Sequence, residues 1–342
     1  MIELKDIEKT YRVKKREAGI KNAIKSFVKG NYEEVKALKG ISFKINEGEI
    51  VGYIGPNGAG KSTTIKIMCG ILTPDSGECK INGLVPYKDR KEYVKDIGVV
   101  FGNRSALWWD VPVEDSFELI KSIYKIPDAK YKSQKDMLVE MLNIGEIIKT
   151  PTRQLSLGQR MRCEIAGAFL HDPKIVFLDE PTIGLDSVSK IAVRDFIKKI
   201  NKEKKTTIIL TTHDTGDIEA LTQRIILIGK GKLLVDGNLK GLIRQYSNKE
   251  IKVKFDGIID DLCDGLKILE KNENEFRLEI DESKISLADS IVEISKIGKI
   301  EDLEISNTSI DNIVARLYRE YKIWVHILLI LKLNFWMKYN TK

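Results

Sequence analysis

The sequence contains four cysteines, Cys69, Cys79, Cys163 and Cys263, and no CxxC pair. Zinc ribbons and small disulfide frameworks need such pairs, so neither is expected, and the thiols read as reduced ones in a cytosolic protein. The N-terminus, MIELKDIEKTYRV, has no apolar region behind a basic start, which argues against a secretory signal. There are no internal repeats or low-complexity runs. Over most of the length nothing approaches the roughly 20 apolar residues of a bilayer span. What remains is a globular composition, 42% hydrophobic and 31% charged over 342 residues. That is enough for one large domain with a generous core plus a smaller appended one.

The net charge of +7 is local. Residues 14–39 carry +5 and residues 322–342 carry +4, leaving −2 for the rest. Two short basic segments suit contact with anionic lipid headgroups or a partner better than a continuous nucleic-acid groove. A solvated basic face is the alternative for each.

Ile2 to Leu4 reads as a first strand, followed by a loop or second short strand around Tyr11. AIKSFVKG, within the basic block 14–39, has apolar residues at helical spacing. ISFKI (41–45) and EIVGYI (49–54) read as strands joined by a turn at Asn46-Glu47-Gly48. IGVVF (97–101), KIVFL (174–178) and TTIIL (206–210) are continuous apolar runs, as expected of strands buried on both faces. Residues 225–237 look like a hairpin. Helical patterns between the strands predict an α/β domain with a mostly parallel sheet over 1–240, carrying a helical subdomain at about 104–170. Beyond a boundary near Leu239 to Gln245, the runs KEIKVKF, NEFRLEI and KIEDLEIS suggest a small α+β domain over 241–320 in a ββαβ-like order. An apolar, basic tail (321–342) follows.

The chemistry is concentrated in Gly55-Pro56-Asn57-Gly58-Ala59-Gly60-Lys61-Ser62-Thr63. Glycines at 55, 58 and 60 let backbone N–H groups turn inward around phosphate oxygens, and the following helix presents its positive N-terminal end to the same anion. In such a loop Lys61 reaches the β- and γ-phosphates of ATP and the Ser62 hydroxyl is a Mg²⁺ ligand. KIVFL runs into Asp179-Glu180 at the carboxyl edge of the sheet, where ligands bind in open α/β folds. Asp179 is expected on Mg²⁺, and Glu180 on the attacking water.

Leu155-Ser156-Leu157-Gly158-Gln159, followed by RMRCEIAGAFLHDP, resembles the signature motif of ATP-binding cassette (ABC) ATPases. Gly184-Leu185-Asp186 resembles their D-loop, and Thr211-Thr212-His213-Asp214 their switch-histidine region. The resemblance covers roughly residues 1–240. It implies a P-loop cassette fold with an antiparallel β part and a helical subdomain. It also implies a homodimeric nucleotide sandwich, in which ATP on one P-loop is closed off by Ser156, Gly158, Gln159 and Asp186 of a second cassette. His213 would contact the γ-phosphate beside Glu180, and Tyr11 would stack on adenine. Asn103 stands where the family has a glutamine that touches Mg²⁺, and Leu157 where the commonest signature has glycine.

FGNRSALWWDVPVEDSFELIKSIY looks like the corresponding stretch of ABC-2-type exporter ATPases, relatives of the daunorubicin-resistance and sodium-export cassettes. That implies a separate permease, an export direction, and a place at the cytoplasmic face of the membrane, with 14–39 and 322–342 as possible membrane contacts. Trp108 and Trp109 either pack the helical subdomain or anchor an interface. The run IWVHILLILKLNFWM (323–337) reads as an interfacial helix, a core-packing helix or a piece of downstream reading frame. A cassette acting on nucleic acid or ribosomes is the competing class. Those resemble tandem cassettes, or cassettes split by coiled coils or zinc modules, none of which occurs here, so no nucleic-acid partner is expected. A non-hydrolysing regulatory cassette is a third reading, opposed by Glu180 and His213.

Overall fold

The computed structural model describes residues 1–14, 32–102, 104–246, 248–256, 262–272 and 274–321. Asn103, the expected helix in AIKSFVKG and the tail 322–342 lie outside the described residues. The chain divides into two compact units, Met1–Asn238 and a second that begins at Leu239.

The first unit is built on a six-stranded sheet in the order β5-β6-β7-β3-β8-β9. Its strands are β3 (Ile50–Ile54), β5 (Ile97–Phe101), β6 (Ile175–Asp179), β7 (Thr207–Thr211), β8 (Arg224–Gly229) and β9 (Lys232–Asn238). All neighbours are parallel except the β8–β9 hairpin. The apolar runs make this possible because successive side chains go to opposite faces. Val176, Leu178, Ile208 and Leu210 join a core shared with Phe117, Leu138, Ile165 and Phe196. Their neighbours Ile175, Phe177 and Ile209 join the other core, with Tyr53, Ile65, Ile226 and Ile228. The helices Val113–Tyr124, Asp128–Met141 and Leu157–Phe169 lie between β5 and β6 in sequence, and Phe169 meets Phe196 edge to face with ring centroids 5.0 Å apart.

A second, antiparallel sheet in the order β2-β1-β4 is made of β1 (Ile2–Lys14), β2 (Tyr32–Ile45) and β4 (Ser76–Ile81). Here the structure corrects two sequence expectations. Tyr11 is neither in a loop nor on a separate strand, because β1 runs unbroken for 13 residues and pairs with β2 from Ile2↔Ile45 to Lys14↔Tyr32. Part of the basic block 14–39 is therefore strand. The short apolar alternation at 41–45 concealed this, since β2 is exposed over its first five residues and shows no buried face there.

In the second unit the sheet is β11-β12-β10-β13, all antiparallel. It comprises β10 (Lys249–Asp256), β11 (Leu266–Asn272), β12 (Glu275–Ile280) and β13 (Lys299–Asn307), with helices Leu239–Tyr246, Leu287–Ile297 and Ile310–Glu320. The ββαβ-like order lacked β11, whose residues after Leu266 are all exposed and carry no apolar alternation. Among the described residues no helix is long and apolar enough to cross a membrane.

His171 couples this fold to pH. Its Nε2–H donates to Ile97 O at 2.8 Å, its ring stacks on Tyr124 at 3.9 Å, and its Nδ1 is buried without a partner. Burial holds its pKa down at about 4. The unfolded chain takes up this proton below about pH 6.5 while the folded chain refuses it until about 4, so the contribution is full above 6.5 and is lost as pH falls between those values. Urea unfolding should show stability falling from pH 7 to 4.5, with a shallower slope in His171→Gln, which keeps a donor for Ile97. An unchanged slope in the variant would contradict this reading.

Candidate functional site

The carboxyl ends of β3, β6 and β7 meet at one edge of the sheet, and the loops that leave them carry the candidate residues. After β3 the chain turns through Gly55–Gly60 into the helix Lys61–Met68. Gly58 and Gly60 have φ of 77° and 111°, in the region that disfavours side chains. Gly60 also has no room, because a Cβ there would lie 2.7 Å from Leu38 Cδ2 and 2.8 Å from Ala37 O. The loop is pinned from outside by Gly231 N–H donating to Ala59 O at 3.0 Å. Thr64 accepts from the buried Tyr53 hydroxyl at 3.0 Å and donates to Gly60 O at 3.1 Å.

Lys61 is only 7% exposed. Its ammonium donates to Gly55 O at 2.5 Å and lies 3.2 Å from His213 Nε2. Burial lowers its pKa, opposed by the negative charges of Glu180 and Asp179. His213 Nε2 is in turn 3.1 Å from Glu180 Oε1. The His213 pKa is also lowered, first by burial and then by the Lys61 ammonium, against Glu180 and Asp179. Asp179 is the last residue of β6, and its Oδ1 accepts from Thr211 Oγ1 at 2.5 Å. Glu180 takes a left-handed φ of 56°, its N–H held by Thr211 O at 3.0 Å and Thr211 Oγ1 at 3.1 Å.

A cavity of about 530 Å³ opens over this loop, lined by Pro56, Asn57, Gly58, Gly60 to Thr63, Glu180, Lys230 and a stretch of β2 that includes Val35, Lys36 and Lys39. The sequence gives 14–39 as a possible membrane or partner contact or a solvated face and does not place these β2 residues at the loop. Lys36 and Lys39 border the phosphate-type loop. Tyr11, opposite Val35 in the ladder, brings its hydroxyl to 3.4 Å from Thr63 Oγ1 across a separation of 52 positions. Ser62 is exposed. With Asp179 it offers hydroxyl and carboxylate oxygen, the donor chemistry of a hard cation such as Mg²⁺. A second cavity, about 590 Å³, lies at the opposite end of the strands. Its Arg224 is already neutralised by Glu49 at 2.9 Å and Asp236 at 2.7 Å.

Ser156, Gly158, Gln159 and Asp186 form a separate cluster, and none of them lines the cavity over the Gly55–Thr63 loop. Ser156 caps the helix Leu157–Phe169 in a reciprocal box: Gln159 N–H donates to Ser156 Oγ at 3.2 Å and Ser156 N–H to Gln159 Oε1 at 2.9 Å. The Gln159 side chain is thus committed to its own helix. Asp186 caps the helix Ser187–Lys204 through Ser189 N–H at 2.9 Å and Ser189 Oγ at 2.8 Å. Gly158 packs directly on that cap. Trp108 and Trp109 are 58% and 49% exposed, with Arg160 over the Trp109 ring at 5.5 Å. Both rings thus keep about half of their surface exposed, and Trp109 meets the helical subdomain through Arg160.

A family described as "ABC transporter" matches residues 38–183. The ABC transporter ATP-binding protein NatA of Bacillus subtilis (strain 168) is 30% identical over 221 residues, spanning 65% of this chain and 89% of NatA. The ABC transporter A family member 8 of Dictyostelium discoideum is 34% identical over 228 residues, 67% of this chain and 27% of that longer protein, so the chain matches about a quarter of it. A dimeric structure of a post-hydrolysis state of the ATP-binding cassette MJ0796, bound to ADP and Pi, superimposes with a TM-score of 0.58 at 28% identity, covering 70% of this chain and 99% of that one. The chain belongs to the ABC transporter family, in which it is an ATP-binding cassette with ATPase activity.

The packing of Gly158 can be measured. A Cβ there would lie 2.5 Å from Ser189 Oγ and 3.2 Å from Asp186 Oδ2. Helix propensity favours alanine by up to about 1 kcal/mol, yet we expect Gly158→Ala to destabilise by about 1–3 kcal/mol through overpacking. Gly145→Ala, whose nearest neighbour would be Val139 Cγ1 at 3.6 Å, should stay within about 0.5 kcal/mol. Equal unfolding midpoints for the two variants would refute the close contact.

Proposed function

We propose that this cassette powers export through a separate membrane permease, closing as a homodimer on ATP and reopening after hydrolysis. The observation that carries this reading is the triad of Lys61, His213 and Glu180. One ring nitrogen of His213 faces an ammonium and a carboxylate at once, and a neutral imidazole nitrogen can accept from the first or donate to the second but not both. A terminal phosphate entering the cavity resolves the conflict. Lys61 turns to phosphate oxygen, and His213 is free to hold the γ-phosphate while Glu180 orients the water. Backbone N–H groups of Gly58 to Ser62 cradle the phosphates, and Tyr11 stacks on adenine. Ser62 and Asp179, with Asn103, would hold Mg²⁺, which neutralises phosphate charge when bound.

On this reading the remaining phosphate contacts come from a second cassette. Ser156 is exposed and capping its helix, so a hydroxyl and a helix N-terminus point outward with Gly158 and Asp186 beside them. This favours their service to the ATP of a second cassette, as does the dimeric form of MJ0796. Export and the permease rest on the likeness to NatA and to exporter-type cassettes, and the exposed Trp108–Trp109 pair supplies an aromatic anchor for such a partner. Placement at the cytoplasmic face of the membrane follows from that partner.

Turnover should therefore rise more than linearly with protein concentration. Glu180→Gln should lower the ATPase rate about 100-fold or more while leaving an ATP-dependent dimer visible by size-exclusion chromatography. Strictly linear rates from a monomer would sink the sandwich, and an undiminished rate in Glu180→Gln would sink the assignment of the base.

A further inference from the structure

Glu180 and His213 leave from different strands, β6 and β7, whose backbones are tied where they end, at Glu180 N–H to Thr211 O. Asp217 adds a tie further along both loops. It is completely buried near the start of the helix Thr215–Leu221, and its carboxylate collects four donors. Thr182 Oγ1 and Thr212 Oγ1 both donate to Oδ2, the second at 3.0 Å. Arg194 donates to Oδ1 through Nε at 2.7 Å and meets it through Nη2 at 2.6 Å. Thr182 lies two residues after Glu180, and Thr212 one residue before His213. A single carboxylate oxygen thus holds the loops that carry both reacting side chains.

The arrangement has a mechanical reason. Glu180 sits at φ 56°, a conformation disfavoured for a side-chain-bearing residue, and such a turn persists only when its surroundings over-determine it. Thr211 secures the Glu180 N–H on one side. The Thr182 hydroxyl secures the chain just beyond. Arg194 and Lys190 stand on the helix Ser187–Lys204, where Lys190 pairs with Asp214 and Arg194 reaches Asp214 Oδ1 at 3.3 Å. That helix begins at the Asp186 cap against which Gly158 packs. A cavity of about 240 Å³ lined by Glu180, Thr182, Lys190, Thr212, His213 and Asp214 lies beside these groups.

We propose that Asp217 is a positioning residue for ATP hydrolysis: through Thr182 and Thr212 it sets Glu180 and His213 in mutual register, and through Arg194 it ties that register to the helix behind Asp186. The proposal rests on the reading of Glu180 and His213 as the reacting groups. Because the Asp217 carboxylate touches neither of them directly, its effect falls on turnover and not on nucleotide affinity. Displacing a reacting group by about 1 Å can cost up to about 100-fold in rate.

The test uses the full chain in a steady-state ATPase assay, with circular dichroism to confirm folding. Thr182→Val and Thr212→Val each remove one hydroxyl at nearly constant volume. We expect each to lower kcat about tenfold or more, with KM for ATP within about twofold of the unsubstituted protein. The double variant should fall little below the worse single one, since both act through the same oxygen. Thr182→Ser should restore kcat. If Asp217→Asn does not fold, this threonine series still decides. Valine variants with kcat within twofold of the unsubstituted protein, a failure of Thr182→Ser to rescue, or a KM that rises in step with the lost kcat would overturn the proposal. Glu180→Gln in the same assay separates the two levels: its failure to lose activity defeats the underlying assignment, whereas its loss beside unaffected valine variants defeats the role of Asp217 alone.

Discussion

The first unit depends on a cation held almost out of water. A buried ammonium is tolerable only where carbonyls and carboxylates surround it, and Lys61 has Gly55 O against it and the charges of Glu180 and Asp179 nearby. Those groups follow two strands, and His213, 3.2 Å from the ammonium, follows a third, so the loop after β3, the acidic end of β6 and the polar end of β7 must all reach one edge. The β7–β3 and β6–β7 pairings deliver this by placing Leu210 beside Gly52 and Thr211 beside Asp179. β3 leads to a lysine without water and β6 to a glutamate in a left-handed turn, each costly alone, while Thr211 of β7 donates to Asp179 and holds the Glu180 N–H.

The same packing explains why the two groups of motif residues stay apart. Apolar alternation on β6 and β7 feeds a core on each face, so helices cover both sides and only the strand ends remain open for polar chemistry. The helix Leu157–Phe169 belongs to one of those cores, and its capped N-terminus emerges at the surface. In the proposed dimer this end faces the ATP of the second cassette. In that proposal the fold is complete in one chain and the chemistry only in two, so association with a second cassette would control turnover.

Within the second unit, the sheet buries Ile251, Val253, Phe276, Leu278 and Ile280 on one face and carries charge on the other. Glu250 is buried there too, held by Arg277 Nε and Nη2, both at 2.6 Å. The alternation in KEIKVKF and NEFRLEI announces two of its strands. β11 escaped because an edge strand facing water has no apolar face to impose a pattern.

The phosphate-type loop, the acidic strand end, the signature and the switch histidine were all legible in the amino-acid sequence, because each requires particular residues at short, fixed spacing. So were the parallel strands, since burial on both faces writes a continuous apolar run. The long ladder that brings Tyr11 to Thr63, the bordering of the cavity by Val35, Lys36 and Lys39, and the outward exposure of Trp108 and Trp109 were not, because contacts across tens of residues leave no local period. Asp217 is the clearest case. In sequence it is one acidic residue on a short helix, and only the convergence of Thr182, Arg194 and Thr212 around it, from three separate segments, gives that carboxylate a place beside Glu180 and His213.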